Sequence, residues 1–383
     1  MSHYPGESIE GSARLSLDNS STVFYNPRMG LNRDIGVLFV KSYFSGGIHV
    51  CDPMTASGVR AIRYASECPN VASVTAADVD PASVECANRM VRRNNLAARI
   101  SIIQANAIAL FQDHIEDRFD FVDLDPFGSP STFFESALRC TTEDGVLAAT
   151  ATDMAPLTGT RPAACFRKYG IVVSRTEFEK EIALRVLAAN LSLSSARLQL
   201  GVSVVFSHAS DHYARIYVRV NKGRPVANSS VRNLGFLEYC PRCLRRATRE
   251  LFKEYESDCG NCGSKVKVIG PLWLGKLWDS RLVTLMCENA ATLSSSRLSD
   301  LQTLLDRITQ ELDAPPFYHR VDKTAQVLRT NPPRVREIVS ILRSSGYAAT
   351  LTHFHPNAFR TDASDSFIRS TFRNPKESQS EKV

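Results

Sequence analysis

The sequence predicts an α/β protein: a doubly wound, mostly parallel sheet, then a second α/β unit that carries a four-cysteine module. Three observations lead there. Short apolar runs alternate with amphipathic helical stretches through residues 33–152. Those runs are continuously apolar, as in strands covered on both faces. Beyond residue 222 the alternation gives way to paired cysteines among basic residues.

In chain order, residues 1–30 read as irregular, with Tyr4-Pro5-Gly6 and Asn26-Pro27 as breakers. Residues 33–43 carry Ile35, Leu38 and Phe39 on one helical stripe, and Gly46-Gly47 ends it. Strands are expected at 48–51, 71–77, 100–104, 119–124 and 145–152, and helices at 58–67, 81–94 and 131–140, the second with a proline in its first turn. A helix at 178–193 and strands at 198–207 and 214–220 complete a first domain, 1–222. A second domain is expected over 223–373. It contains the cysteine module 236–270, helices at 279–293, 298–312 and 334–344, and a strand at 347–353. The polar tail 374–383 is expected to be disordered.

Of the 383 residues, 43% are hydrophobic and 22% charged, enough for a large core. The formal net charge is +6, and residues 219–253 hold nine Lys and Arg against two Glu. A basic second half beside an acidic stretch at Asp120–Asp125 suits a polyanionic partner. No run of 18 apolar residues predicts a membrane span, and the polar N-terminus does not read as a signal peptide. With four of the ten cysteines tightly paired and six scattered, a reducing, cytoplasmic setting is expected.

The turn His49-Val50-Cys51-Asp52-Pro53-Met54-Thr55-Ala56-Ser57-Gly58-Val59-Arg60 runs from strand through a loop of small residues into a helix. Small residues let a ligand approach the backbone, and a helix N-terminus offers free N–H groups. Only Gly58 of a dinucleotide fingerprint is present, and Asp52 at the strand end repels a pyrophosphate. A ligand bearing a cation fits better. Asp52, Ser57, Gly58 and Arg60 are the candidate contacts on this loop. Asp78, with Val79 after it, closes the second strand where a carboxylate takes ribose hydroxyls; a turn or helix cap before Pro81 is the other reading. Asn106 and Ala107, after the third strand, are placed to meet an adenine ring. These strand ends point to S-adenosyl-L-methionine, whose sulfonium explains the acids.

Asp123-Leu124-Asp125-Pro126-Phe127-Gly128-Ser129-Pro130 ends the fourth strand, where a doubly wound sheet places its substrate. Asp125 and a nearby carbonyl can accept the two N–H bonds of an exocyclic amine and aim its lone pair, with Phe127 beside the base. The stretch resembles the Asp/Asn-Pro-Pro-Tyr/Phe motif of amino-group methyltransferases but departs twice. Phe127 stands for the second proline and Gly128 for the aromatic, so either Phe127 stacks from a shifted position or another ring, Phe24, does. Thr152-Asp153 either lines the same edge or caps the next segment of the chain.

Cys240-Pro241-Arg242-Cys243 and Cys259-Gly260-Asn261-Cys262 form a C-x2-C-x15-C-x2-C pattern, the spacing of a closed, structural zinc site. Arg242, Arg245, Arg246, Arg249 and Lys253 form either a phosphate-contacting face or the solvated surface of a small module. Arg329, Arg334, Arg336, Arg343 and Arg360 are candidates to grip RNA, with Tyr318 and His319 to stack or bond.

Several stretches together resemble the tRNA (guanine-26-N2)-dimethyltransferase family: Phe24-Tyr25-Asn26-Pro27, Asn32-Arg33-Asp34, 123–130, Ala151-Thr152-Asp153-Met154-Ala155, His208-Ala209-Ser210-Asp211-His212-Tyr213, Gly270-Pro271-Leu272-Trp273-Leu274-Gly275 and Thr352-His353-Phe354-His355. The resemblance implies a class I methyltransferase domain followed by a C-terminal tRNA-binding domain. It implies methyl transfer from S-adenosyl-L-methionine to N2 of guanine 26, giving N2-methyl- and N2,N2-dimethylguanosine. It makes Arg33 the partner of the cofactor carboxylate, against the alternative of an Arg33–Asp34 surface pair. It assigns Asp78 to the ribose, Asp125 with Pro126 to catalysis, and Phe24 and Phe127 to the base. No obligate protein partner is implied. The alternative function is methylation of an amino group in another nucleic acid or in a protein amide; a non-catalytic RNA-binding protein has no need of Asp52, Asp78 and Asp125 together.

Overall fold

The computed structural model describes residues 7–16, 23–254 and 256–373. The expected tail 374–383 and the Tyr4-Pro5-Gly6 breaker lie outside the described residues. The alternation of apolar runs and helices builds a seven-stranded sheet. Its strands are β3 (Ile48–Asp52), β4 (Val71–Asp78), β5 (Ile100–Gln104), β6 (Phe119–Leu124), β7 (Thr141–Ala151), β8 (Leu200–Ala209) and β9 (Ala214–Lys222). Their order across the sheet is β5-β4-β3-β6-β7-β9-β8. The first five run parallel; β9 is antiparallel to β7, and β8 to β9. Because β3 sits between β4 and β6, the winding reverses there, and the C-terminal ends of β3, β4 and β6 open onto one crevice.

Helices cover the sheet: α1 (Gly30–Tyr43), α2 (Val59–Glu67), α3 (Pro81–Arg93), α4 (Ala107–Asp113), α5 (Phe134–Arg139), α6 (Met154–Leu157), α7 (Pro162–Tyr169) and α8 (Glu179–Arg197). Phe39 of α1 lies parallel to Tyr217 of β9 at 4.3 Å and to Phe121 of β6 at 5.9 Å between ring centres, so an aromatic stack fixes α1 on the sheet. The N-terminal stretch, expected to be irregular, contains a β-hairpin, β1 (Ser8–Glu10) and β2 (Ala13–Leu15). Its alternation is short, but it buries Ala13 and Leu15 and carries Glu10 inward.

After α9 (Arg224–Arg232), the cysteine module forms an antiparallel sheet in the order β11-β10-β12, from β10 (Leu234–Tyr239), β11 (Arg246–Glu250) and β12 (Lys267–Trp273). α10 (Ser280–Asn289) and α11 (Leu298–Glu311) return to the first half of the chain, where Lys41 donates to Thr292 Oγ1 (2.9 Å) and Ser295 to Asp34 (2.6 Å). A three-stranded sheet with α12 (Val321–Leu328), α13 (Val335–Ser344) and α14 (Asp365–Arg373) closes the fold around its own small core of Val321, Ile338, Leu342 and Phe359. The main core runs without interruption from Ala13 to Ala358 across residue 222.

Candidate active site and cysteine centre

Three acids stand on or just after β6, and they do three different things. Asp120 accepts His49 N–H (2.8 Å) and Thr142 Oγ1–H (3.2 Å), fastening neighbouring strands. Asp123 is fully buried; it pairs with Arg215 of β9 (2.8 Å) and Arg60 (3.2 Å) and accepts the Tyr64 hydroxyl (2.6 Å). Burial opposes its charge, but Arg215 and Arg60 outweigh that and hold its pKa below the ordinary carboxylate range. Asp125, just past the C-terminal end of β6, is partly exposed, its side chain 22% accessible and tied to Arg60 Nη2. Sequence reasoning assigned catalysis to Asp125 and left the role of Asp123 beside it open. The buried arginines, contributed by β9 and α2, separate them.

Arg60 was a candidate cofactor contact. In the fold it lies buried beneath the acids, bonding Asn32 Oδ1 (3.2 Å) as well as Asp123 and Asp125. Asp52 completes the group. It is buried at the end of β3, accepts the Thr55 hydroxyl (2.8 Å), and is pushed up to about 7 by burial and then by the charge of Asp123. Asp52 therefore ionises only around neutral pH, whereas the two arginines keep the neighbouring Asp123 charged.

The loop from Asp52 to Gly58 is shaped by the next strand. Thr55 N–H bonds Ala77 O (2.8 Å), and Ala56, left-handed at φ 46, gives its N–H to Asp78 Oδ2 (2.9 Å). Gly58 caps α2 at φ 78, and a Cβ there would lie 3.2 Å from Ala87 of α3, so glycine is needed for both angle and space. Ser57 and Gly58 are buried, and the loop closes on itself through Gly58 N–H to Thr55 O (2.8 Å). Capping falls to Asp80, which accepts Ser83 N–H (3.0 Å) at the start of α3; Asp78 makes the turn before it, accepting Asp80 N–H on Oδ1 (3.0 Å), and braces the loop through Oδ2. Val79 follows it, 66% exposed. Asn106 is exposed at the start of α4 and spends its carbonyl on Ile108 N–H (2.9 Å), with Ala107 buried behind it.

Pro126 is buried and turns the chain; Gly128 exchanges two hydrogen bonds with Thr152, N–H to Oγ1 (2.8 Å) and O from N–H (2.9 Å). Thr152 thus anchors the Asp125 loop, while Asp153 accepts Lys168 Nζ and the Tyr169 hydroxyl (both 2.7 Å). Phe127 is left 77% exposed and Phe24 46% exposed, edge to face at 4.6 Å. Both candidate rings therefore meet at one mouth. Phe24 arrives there because Tyr25 beside it bonds Glu10 (2.8 Å) and Arg33 bonds Asn26 O (3.0 Å).

Arg33 is not paired with Asp34. Glu10 takes its Nε and Nη2 (2.5 Å each), and Asp34 turns to Arg63 (2.6 Å). Burial works against a charge on Glu10, yet the Arg33 fork outweighs it and holds that carboxyl at about 2. Glu10, Asn32, Tyr64 and Arg215 are site-supporting residues that sequence reasoning missed. Each acts through a partner distant in sequence, and no local pattern signals it.

The family model for N2,N2-dimethylguanosine tRNA methyltransferases matches residues 6–373. The chain belongs to that family. Curated relatives agree. A tRNA (guanine(26)-N(2))-dimethyltransferase of Methanothermobacter thermautotrophicus is 36% identical over 344 residues, 89% of this chain and 90% of that protein. A tRNA (guanine(26)-N(2)/guanine(27)-N(2))-dimethyltransferase of Aquifex aeolicus is 31% identical over 91% of this chain and 89% of its own length. Among solved structures, Trm1 from Pyrococcus horikoshii in complex with S-adenosyl-L-methionine superposes with a TM-score of 0.88 at 33% identity, covering 95% of this chain and 99% of that one.

In this member of the dimethylguanosine family the four paired cysteines converge. The sulfurs of Cys240, Cys243, Cys259 and Cys262 all lie within 4.8 Å of one another, with Cys240–Cys262 and Cys243–Cys259 at 3.5 Å. Tetrahedral zinc–thiolate bonds of about 2.3 Å put sulfurs about 3.8 Å apart, so this donor set fits zinc. Both knuckles make one turn: Leu244 N–H returns to Cys240 O and Gly263 N–H to Cys259 O (2.8 Å each), with Leu244 and Gly263 left-handed at φ 62 and 66.

The basic residues nominated for RNA divide. Arg246 is drawn inside by Glu177 (2.5 Å) and by the carbonyls of Phe317 and Tyr318 (2.9 and 2.6 Å). Arg360 is buried between Glu181 (2.9 Å) and Glu311 (2.6 Å), and Tyr318 is buried as well. These three are committed to internal contacts that join the two halves of the chain. Arg249 and Arg245 pair with Glu238 and Glu256, and Arg242 bonds Ser264. Arg329, Arg334 and Arg336 stay at the surface; Arg343, also there, bonds Ala349 O (2.7 Å). Among the described residues no helix is long and apolar enough to cross a membrane.

Proposed function

We infer that this chain transfers methyl groups from S-adenosyl-L-methionine to the exocyclic N2 of guanine 26 in tRNA, giving N2-methyl- and then N2,N2-dimethylguanosine. The observation that carries the reading is Asp125: it stands just past the C-terminal end of β6, partly exposed and beside two exposed aromatic rings at the crevice of a doubly wound sheet, whereas Asp123 is buried and Asp120, near the other end of the strand, is spent on His49 and Thr142. Family membership and the relatives' shared activity support the substrate.

The cofactor lies over the Asp52–Gly58 loop. Asp52 receives its ammonium group, the free lone pairs of Asp78 its ribose hydroxyls, and Val79, Asn106 and Ala107 its adenine. Arg33 offers its carboxylate the Nη1 end of the fork, since Glu10 fills the other edge. The target guanosine leaves its stack, because N2 is shielded within a helix. Phe24 and Phe127 hold the base. Asp125 and a carbonyl of its loop accept the N2 hydrogens and turn the lone pair toward the sulfonium methyl. As the N–C bond forms and the C–S bond breaks, Asp125 takes the amine's proton late. Arg60, fixed by Asn32 and Asp123, positions Asp125.

Cys240, Cys243, Cys259 and Cys262 hold a structural zinc ion, a closed site with no open position for chemistry. The test is methylation of paired transcripts, one with guanosine and one with adenosine at position 26. Label in N2-methylated guanosine from the first alone supports the reading; equal label in both contradicts it.

A further inference from the structure

The segment between β7 and α8 is a candidate binding surface distinct from the zinc module and from the mouth itself. Residues 154–176 contain four basic residues, Arg161, Arg167, Lys168 and Arg175, and no acid. The acids that bracket the segment are consumed internally: Asp153 on Lys168 and Tyr169, Glu177 on Arg246 and Tyr239. Arg161, Arg167 and Arg175 are exposed and have no ion-pair partner among the described residues, unlike Arg245, Arg246 and Arg249 of the cysteine module. Between these arginines stands Phe166, 60% exposed.

The segment is also placed and stiffened. Its start is tied to the catalytic loop by the Thr152–Gly128 hydrogen bonds. Further along, Val172 exchanges backbone hydrogen bonds with Gly270 of β12 (3.1 and 2.8 Å), inside the cysteine-bearing sheet. Gly159 packs so close to the Ser174 backbone that a Cβ would lie 2.4 Å from it, and Asn190 of α8 holds the Tyr169 carbonyl (2.9 Å). A rigid, unneutralised strip thus runs from the methyl-transfer mouth to the cysteine module.

We propose that residues 154–176 grip the tRNA backbone beside the guanosine that enters the site, with Arg161, Arg167 and Arg175 on phosphates and Phe166 stacked on a neighbouring nucleotide. The proposal rests on the tRNA reading above. Charge selects the partner: three free guanidinium groups with no interspersed acid suit a polyphosphate. An everted nucleotide leaves an exposed neighbouring base, which an aromatic side chain covers at low cost.

The test uses the full chain with Arg161→Ala/Arg167→Ala and, separately, Phe166→Ala, measuring KM for a tRNA transcript, filter binding of that transcript at several salt concentrations, cofactor affinity and thermal midpoint. The double variant is expected to raise KM by roughly tenfold or more and to lower the slope of log affinity against log salt by about 1 per lost phosphate contact. Cofactor affinity and midpoint stay at wild-type values, because these side chains are exposed. Wild-type KM and salt slope in the double variant overturn the surface. If that result comes with a change in sedimentation, the strip belongs to an interface between copies of the chain. A wild-type protein that binds tRNA without methylating guanosine overturns the substrate reading instead, and the variants' binding still decides the surface.

Discussion

With Asp52 as the proposed partner of the cofactor's ammonium group, cofactor affinity is expected to depend on pH. Its carboxyl is buried at the end of β3 and pushed from 3.8 up to about 7, because burial and the charge of Asp123 both oppose ionisation. The cofactor's ammonium requires the ionised form. Affinity therefore scales with the ionised fraction, so Kd is about 11-fold above its plateau at pH 6, about twofold above at pH 7, and close to the plateau at pH 8. Stability moves the opposite way. An acid whose folded pKa is raised contributes stability that is full below the unfolded value near 4 and is lost as pH rises through 7, here about 4 kcal/mol. Calorimetric titration with S-adenosyl-L-methionine from pH 6 to 8 reads the effect, beside Asp52→Asn. The variant binds more weakly and without the slope. A wild-type Kd flat across this range, or an equal slope in the variant, refutes the assignment of Asp52.

Arg60→Lys should lower kcat about 10- to 100-fold while leaving KM for tRNA near wild type. A single ammonium cannot bridge Asn32, Asp123 and Asp125, and a displaced Asp125 misaims the amine; steady-state kinetics against tRNA checks the split. Cys243→Ser should abolish stoichiometric zinc in metal analysis and lower the thermal midpoint, since one of four converging thiolates is lost. Phe127→Ala should raise KM for tRNA by about 5- to 100-fold, the loss of one base–aromatic stack, with cofactor affinity unchanged in the same titration.

What was legible in the sequence was local. The strand–loop–helix order, the Asp52–Gly58 turn, the Asp78 and Asp125 strand ends and the cysteine spacing each show within a few residues, because turn chemistry and strand periodicity act at that range. What was not legible was set by partners far along the chain. Asp123 looks like Asp125 until Arg215, brought across from β9, buries its charge. Arg246 and Arg360 look like RNA contacts until Glu177, Glu181 and Glu311 draw them inside. Glu10 lay in a stretch read as irregular, yet its hairpin carries it to the Arg33 fork that the family resemblance assigned to the cofactor. Composition reports how many charges a segment has, while ion pairing across the fold decides which of them remain for a ligand.

The central claim is that Asp125 acts on the amine and not on the cofactor. The most direct test is single-turnover methyl transfer to an unmodified tRNA transcript by Asp125→Ala, with S-adenosyl-L-methionine affinity measured on the same preparation. The account predicts transfer reduced by about 10²- to 10³-fold or more with cofactor Kd within about twofold of wild type. Transfer at the wild-type rate, or a loss of transfer fully matched by loss of cofactor binding, would contradict it.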